Sequence, residues 1–168
     1  NIVGLSVGMT AAVLIFLWVN NEINFDSYHK DSGNIYRLTT NLKANNWIWE
    51  TSPLLLADAI KKEVPEIKDA ARLYDGNWPV FTVNNNPAYE KKCAYVDDSW
   101  FTLFHYDFIE GNASAFAQDE NSIILTASAA KKYFGNRDAL GAAIRVDSMS
   151  YVVKGIIKDP QPNSSFQY

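Results

Sequence analysis

Charged side chains are missing from the first 21 residues of this 168-residue chain, although 15 Lys and Arg and 19 Asp and Glu follow. Residues 2–19 hold only apolar side chains, two glycines, one serine and one threonine. As a helix they would span about 27 Å, close to the hydrocarbon thickness of a bilayer. An interfacial helix needs a charged face, and a cleaved signal peptide needs small residues after its apolar stretch; both are absent. The pattern therefore predicts that residues 1–21 form a transmembrane helix.

The sequence also has little of what enzymes and metal proteins usually need. Its single cysteine, Cys93, allows no disulfide within the chain, and its two histidines, His29 and His105, are far apart in sequence. There is no phosphate-binding Gly-Lys-Ser/Thr loop, no paired-His zinc spacing and no Gly-x-Ser-x-Gly motif. The net charge of -4 offers no basic footprint for nucleic acid. We therefore expect no catalytic residue, no metal, no cofactor and no nucleic-acid partner.

Four features that could carry chemistry have simpler structural interpretations. Cys93 lies in a strand-like run and is predicted to be a core residue, while each histidine is predicted at the surface or in the segment leaving the membrane. Asp97 and Asp98 could form an acid–base pair, but carboxylates directly before an apolar helix are typical of a helix cap. Aromatic residues more often form a core than a ligand groove. The alternative of a ligand groove concerns four tryptophans: Trp47, Trp49, Trp78 and Trp100.

Small residues recur every four positions within the apolar segment, at Gly4, Gly8 and Ala12. Small side chains on one helical face allow a second helix to approach closely. We therefore expect this face to pack against another membrane helix.

The segment after the apolar stretch, residues 22–34, is predicted to continue the helix as a stalk. The helical pattern reaches His29, and Ser32-Gly33-Asn34 is typical of a stop. A stiff connection of this kind would transmit movement from the membrane to whatever follows. The candidate stalk residues are Glu22, Phe25, Asp26, Tyr28 and His29.

The remainder, residues 35–168, is predicted to be an α+β domain of two small subdomains, because strand and helix patterns are interspersed. Alternating and apolar runs predict strands at Ile35–Leu42, Ile67–Tyr74, Val80–Val83, Tyr89–Val96, Ser122–Leu125, Ala143–Val146 and Tyr151–Ile157. Helices are predicted at Leu54–Glu63, Trp100–Phe104 and Ala127–Phe134, the last with Thr126 as its N-cap and Gly135 as its C-cap. Asp107–Ile109 is followed by a predicted turn at Glu110–Asn112.

Three blocks of sequence carry a family resemblance through their order and spacing. The first comprises Val3–Gly8, Asn21–His29 and Asn34–Leu38; the second Ile123–Thr126, Ala129–Gly135 and Leu140–Gly141; the third Tyr151–Asp159 and Pro162–Phe166. Together they resemble FtsX-type ABC-transporter permeases with a MacB-like periplasmic core domain, in the form common among Bacteroidetes. The resemblance covers the whole chain and is weakest between Trp47 and Glu90. Ser165 departs from it, because many relatives carry His at that position.

The resemblance implies a function that the residues permit without requiring it. The chain would be a fragment of a permease in the bacterial inner membrane, with the residues after about 21 in the periplasm and the core domain incomplete at its C-terminal end. Such a permease is a non-catalytic subunit that couples ATP hydrolysis by a cytoplasmic ABC ATPase to movement of its periplasmic domain, for efflux or for force transmission. Its partners would be that ATPase, a second permease copy, the lipid membrane and a periplasmic adaptor protein.

Two alternatives from other classes remain open. The chain could be the extracytoplasmic ligand-sensing domain of a membrane receptor, and a kinase or methyl-accepting region downstream would favour that interpretation. It could also be an anchored structural or adhesion domain, which predicts no further membrane segment after residue 168. A membrane-anchored enzyme would require a pocket with convergent titratable groups.

Overall fold

The structure, a computed structural model, describes all 168 residues and consists of an apolar helix followed by an α+β domain, as predicted. The first helix, α1, extends over Ile2–Ile23 and is long and apolar enough to cross a membrane. None of its residues is buried against the domain. The first hydrogen bonds to the domain lie just after the helix, at Asn24 and Asp26.

The predicted helical stalk over residues 22–34 is wrong beyond its first two residues. The helix ends at Ile23, Asn24 is its C-cap, and a series of turns follows until a short 3-10 helix at Ser32–Asn34. Asp26 has a φ of 55°, a left-handed conformation that an α-helix cannot contain. Contacts with a distant part of the chain override the local helical pattern.

The domain contains four further helices and ten strands. The helices are α2 (Leu56–Glu63), α3 (Trp100–Leu103), α4 (Ala113–Ala117) and α5 (Ala127–Phe134). The first five strands are β1 (Thr40–Leu42), β2 (Trp47–Trp49), β3 (Leu73–Tyr74), β4 (Val80–Val83) and β5 (Asn86–Tyr89). The other five are β6 (Tyr95–Val96), β7 (Phe108–Gly111), β8 (Ser122–Thr126), β9 (Ala143–Val146) and β10 (Met149–Ile157).

The strands form one six-stranded sheet and two sheets of two strands each. In the large sheet the order is β5-β4-β9-β10-β7, and β8 pairs with β10 in parallel while the other pairings are antiparallel. The predicted hairpin of β9 and β10 is confirmed, with Asp147 in the left-handed conformation at its turn. The small sheets pair β1 with β2 and β3 with β6. β10 is thus the strand that joins three neighbours.

The hydrophobic core lies between the large sheet and α5. Its most completely buried side chains are Ile144 on β9 and Val153 on β10. Helix α5 begins where predicted, because the Thr126 side chain accepts a hydrogen bond from the Ala129 backbone N–H. It ends where predicted at Gly135, whose φ is 64°.

Several strands are shorter than the sequence patterns predict. The predicted strand Ile35–Leu42 pairs only from Thr40, and the predicted strand Ile67–Tyr74 pairs only at its last two residues. The predicted strand Tyr89–Val96 is divided between the end of β5 and β6. An extended run becomes a strand only where a partner supplies ladder hydrogen bonds, and these small sheets offer short partners. The predicted turn at Glu110–Asn112 is instead the end of β7, followed by α4, which the patterns did not predict.

Candidate functional site

The end of α1 is joined to the domain through Asp26. Its backbone N–H donates to the Asn163 carbonyl oxygen at 3.0 Å. Its carboxylate Oδ1 accepts from the Ser165 backbone N–H at 2.8 Å, and Oδ2 accepts from the Ser165 hydroxyl. Aspartate tolerates the left-handed backbone better than most residues, so one side chain both turns the chain and binds the distant segment.

Two further hydrogen bonds lie beside Asp26. The Asn163 Nδ2 group donates to the Asn24 carbonyl oxygen at 3.0 Å, and the Tyr28 hydroxyl lies 2.6 Å from Ser164 Oγ. Burial raises the pKa of the Tyr28 hydroxyl, which therefore stays protonated at neutral pH. We call the five hydrogen bonds between residues 24–28 and residues 163–165 the latch.

An aromatic cluster encloses the next residue, His29, whose side chain is among the most buried in the chain at 3% exposure. The rings nearest to it are those of Tyr28, Phe104, Tyr106 and Phe166, at centroid distances of 4.1, 5.2, 6.1 and 6.4 Å. Trp100 closes the cluster behind them, and its Nε1 donates to the Tyr106 hydroxyl at 3.2 Å. We call these five aromatic residues the aromatic cage.

The polar atoms of His29 are only half satisfied within the aromatic cage. Nδ1 accepts a hydrogen bond from the His105 backbone N–H at 3.2 Å, and Nε2 has no partner. Burial lowers the pKa of His29, while the negative charge of Asp26 opposes that shift without reversing it. The neutral imidazole is therefore the form that this site holds.

The latch is connected to the centre of the large sheet by a short, well-held segment. Asn163 follows the end of β10 after residues 158–162. Within that segment the Lys158 backbone N–H donates to the Asp107 carbonyl oxygen at 2.9 Å. The Asp159 carboxylate accepts from the Ser128 backbone N–H at 3.0 Å and from its hydroxyl at 2.7 Å. The segment between β10 and the latch is therefore held by hydrogen bonds to its neighbours and is not a free loop.

The structure brings together three of the five candidate stalk residues. Asp26 and Tyr28 form the latch, and His29 lies buried beside it, which corrects its predicted place at the surface or in a stalk. Glu22 in the last turn of α1 and Phe25 after it are exposed. The three small residues predicted to pack against another helix, Gly4, Gly8 and Ala12, are all exposed on α1, so their role stays a prediction.

The sequence patterns missed the residues that complete this site on its far side. Asn163, Ser164 and Ser165 supply the other half of the latch, and Phe104 and Phe166 supply cage rings. The one signal in the sequence is the departure from the family resemblance at Ser165. The hydroxyl and backbone N–H of this serine bind the Asp26 carboxylate.

The other features weighed for chemistry have structural roles. Asp97 binds the Arg72 Nε group at 2.9 Å, and neither it nor Asp98 caps α3, whose N-cap is Ser99. Of the four tryptophans, Trp100 is buried in the aromatic cage, whereas the others are exposed. The predicted place in a core is therefore correct for Trp100 and wrong for Trp47, Trp49 and Trp78, and the alternative of a groove lined by all four is not formed either.

One cavity of about 580 Å³ lies beside the aromatic cage and is lined mainly by apolar side chains. Cys93 lines it, packed at the margin of the core in line with its predicted place. Burial raises the pKa of the Cys93 thiol to about 11, so the thiol is protonated at neutral pH and is a poor nucleophile. No group of three His, Cys, Asp or Glu side chains is arranged to hold a metal ion.

Comparisons with known proteins identify the fold that contains the latch and the aromatic cage. No curated protein sequence matches the chain. A domain of a protein assigned as a permease from Porphyromonas gingivalis is 22% identical, with a TM-score of 0.52, over 67% of this chain and 48% of that domain. The periplasmic region of MacB from Actinobacillus actinomycetemcomitans is 16% identical, with a TM-score of 0.48, over 64% of this chain and 50% of that region. The extracellular domain of the noncanonic ABC-type transporter YknZ from Gram-positive bacteria is 16% identical, with a TM-score of 0.46, over 58% of this chain and 52% of that domain.

The chain thus spans about half the length of these solved domains, and the first of them supports the fold alone. A family match extends further, over residues 1–168, and includes α1 and both halves of the latch. The description of the matched family is that of a MacB-like periplasmic core domain. This chain belongs to the MacB-like periplasmic core domain family, a domain of ABC-transporter permeases.

Proposed function

We propose that this chain is part of a permease subunit that couples a cytoplasmic ABC ATPase to movement of a periplasmic domain. In this proposal α1 crosses the bacterial inner membrane, and the residues after about 21 lie in the periplasm. The surface of α1 is uncharged as far as Asn21 and is nowhere buried in the domain, which supports a lipid environment for that part of the helix. The subunit itself performs no chemistry, and the work is done by a change of conformation.

The latch is the observation that carries the coupling role. Because the first hydrogen bonds to the domain lie just after α1, a push, pull or rotation of α1 is delivered to residues 24–28. Five hydrogen bonds then pass the displacement to residues 163–165 and onward to β10, the strand with three neighbours in the large sheet. The chain that leaves α1 toward β1 makes no comparable contact, since none of residues 30–42 is buried.

Other partners follow from the same proposal. The exposed small-residue face of Gly4, Gly8 and Ala12 would pack against another membrane helix, either within the subunit or from a second permease copy. A periplasmic adaptor protein would receive the movement. Efflux of a substrate and transmission of force to an envelope protein both fit this arrangement.

Affinity purification of the full-length protein from its own membranes tests the proposed ATPase partner. The expected result is co-purification of a cytoplasmic ABC ATPase whose hydrolysis rate changes when the permease is present. Recovery with a kinase or a methyl-accepting protein would support the receptor alternative instead. Repeated purification without any ATPase would overturn the transporter proposal.

Asp26→Ala tests the coupling role of the latch in that complex, and Asp31→Ala is a matched control. Asp31 lies five residues later, is exposed and makes no side-chain hydrogen bond. Spin labels on α1 and on the large sheet would report the ATP-dependent change in their separation. We expect Asp26→Ala to keep the ATPase bound but to lose at least half of that change, while Asp31→Ala keeps both. An Asp26→Ala complex that moves like the wild type would show that coupling does not pass through the latch.

A further inference from the structure

His29 is the buried titratable group that the coupling role of the latch leaves unexplained. It follows the latch directly, and its ring touches both Tyr28 of the latch and Phe166 beside it. An apolar side chain of the same size would fill the aromatic cage without leaving a nitrogen unpaired. The chain instead holds an imidazole whose Nε2 is buried and has no partner.

The hydrogen bond at Nδ1 determines which protonation state fits. Since Nδ1 accepts from the His105 backbone N–H at 3.2 Å, the single proton of the neutral ring is on Nε2. A second proton would have to bind Nδ1, where it would face the N–H that now donates to it. Protonation therefore breaks the only hydrogen bond of the ring and places a charge among aromatic side chains.

The groups that surround His29 offer little compensation for that charge. On its own segment they are Asp26 and Tyr28, and from the loop after α3 they are His105 and Tyr106. Neither α3 nor residues 163–166 present a charged side chain. Asp26 is the only negative group among them; it forms no ion pair with His29, and its two carboxylate oxygens are already bound to Ser165.

We propose that His29 is a proton-responsive switch that releases the latch when the surrounding compartment is acidified. Neutral His29 fills the aromatic cage and holds residues 24–29 in the turn that the latch requires. The protonated ring leaves the cage for water, and the turn and the latch open with it. The physiological meaning of the switch rests on the proposed coupling function, but the proton response itself belongs to this chain alone.

The direction of the pH dependence follows from the lowered pKa of folded His29. Because the released histidine has its ordinary pKa of 6.5, the open form binds a proton more readily than the closed form. The closed latch is therefore fully stable above about pH 6.5 and loses stability as the pH falls below that value.

Nuclear magnetic resonance of the chain in detergent micelles tests the switch, since only two imidazoles contribute signals. In a His105→Asn variant the remaining imidazole signal belongs to His29, and we expect its midpoint below pH 6.5. Spin labels at the exposed positions Asn21 and Gln161, with Cys93 replaced by Ala, report the separation of α1 from the end of β10. We expect this distance distribution to broaden at the same midpoint.

His29→Asn is the decisive variant, because its side-chain oxygen can still accept from the His105 N–H while it cannot take up a proton. Its distance distribution should be the same at about pH 7.5 and about pH 5.5, whereas that of the wild type broadens. A His29 midpoint at or above 6.5, or equal broadening in His29→Asn, would overturn the proposal.

If His29→Asn does not fold, the wild-type chain decides: coinciding midpoints of the imidazole signal and the distance change support the switch, and separate midpoints refute it. No ATPase is needed for these measurements, so their failure would leave the proposed transporter role standing, and the reverse also holds.

Discussion

Two regions of the domain differ sharply in how they bury their side chains. The outer region, residues 30–78, contains no buried residue, although it holds β1, β2, α2 and β3. The sheet region, residues 79–168, contains every buried residue except His29. Both regions have aromatic and β-branched residues in strand-like runs, so composition does not explain the difference.

The difference lies in the number of layers that cover each strand. The strands of the large sheet are paired on both edges, except at its margins, and α5 packs on them. In the outer region β1 and β2 pair only with each other, and Trp47, Ile48 and Trp49 are all exposed. A lone two-stranded ribbon is marginally stable in water, because it has no second surface on which to bury its apolar side chains. The comparison teaches that the local sequence pattern determines where a strand can form, whereas packing against other strands and a helix determines how stable it is.

The largest expected effect comes from removing core volume in the sheet region. Ile144→Ala empties a fully buried site on β9 and should lower the free energy of unfolding by about 2–5 kcal/mol. Ile48→Ala in β2 removes the same atoms from a side chain that is 68% exposed and should cost less than about 0.5 kcal/mol. Urea unfolding of both variants in detergent micelles measures this contrast. Equal losses would show that the outer region is covered in solution.

A second contrast concerns backbone freedom at two glycines. Gly111 at the end of β7 has a φ of 69°, and an added Cβ would overlap the Lys154 carbonyl oxygen. Gly111→Ala should therefore destabilise the chain by about 1–3 kcal/mol. Gly33 in the outer region has no atom within 4 Å of such a Cβ, and Gly33→Ala should change stability by less than about 0.5 kcal/mol. Thermal unfolding of the two variants measures this difference. Equal stabilities would contradict the close approach of Gly111 on β7 to Lys154 on β10.

Acid should weaken the sheet region through Glu90, which joins the end of β5 to α5. Burial alone would raise the pKa of Glu90, but hydrogen bonds from Lys132 and Tyr133 outweigh it, and the net pKa is lowered. Its contribution to stability is therefore present above the ordinary value of 4.5 and is lost as the pH falls.

Glu90→Gln should accordingly lose less stability than the wild type between about pH 6 and about pH 3.5. Glu50→Gln is the matched control, because Glu50 forms only an exposed ion pair in the outer region. The control should retain the pH dependence of the wild type. A Glu90→Gln profile that parallels the wild type in urea titrations would show that another carboxylate carries the acid sensitivity.

The smallest expected effect is a difference in stability between alanine variants of two arginines in the outer region. Arg72 binds both carboxylate oxygens of Asp97 through Nε, at 3.1 and 2.9 Å, and ties the outer region to the segment before α3. Arg72→Ala should cost about 0.5–1 kcal/mol, since the pair is only partly exposed. Arg37 pairs with Glu50 on the surface, where the two side chains are 70% and 78% exposed, and Arg37→Ala should cost less than about 0.3 kcal/mol. Denaturation midpoints that rank the two variants in the opposite order would contradict this assignment.

Local patterns predicted the sheet region more accurately than the outer region. The strand Val80–Val83 and the helix Ala127–Phe134 lie within the predicted bounds, and the Thr126 cap is confirmed. In the outer region the predicted strand Ile35–Leu42 was too long, because pairing requires a partner that the local pattern cannot reveal. The same reason explains the stalk: the helical pattern through His29 was real, but Asn163 and Ser165 compete for its backbone and side-chain groups.

The sequence by itself determined the apolar helix, the α+β class and the family resemblance that the match over residues 1–168 confirms. These follow from periodicity, uncharged length and motif order, which are properties of neighbouring residues. Only the tertiary structure decided where α1 ends and what holds it. Asp26 meets Ser165, and His29 enters a cage completed by Phe166, through contacts between residues more than a hundred positions apart. Such contacts depend on how the whole chain packs, so no local pattern contains them.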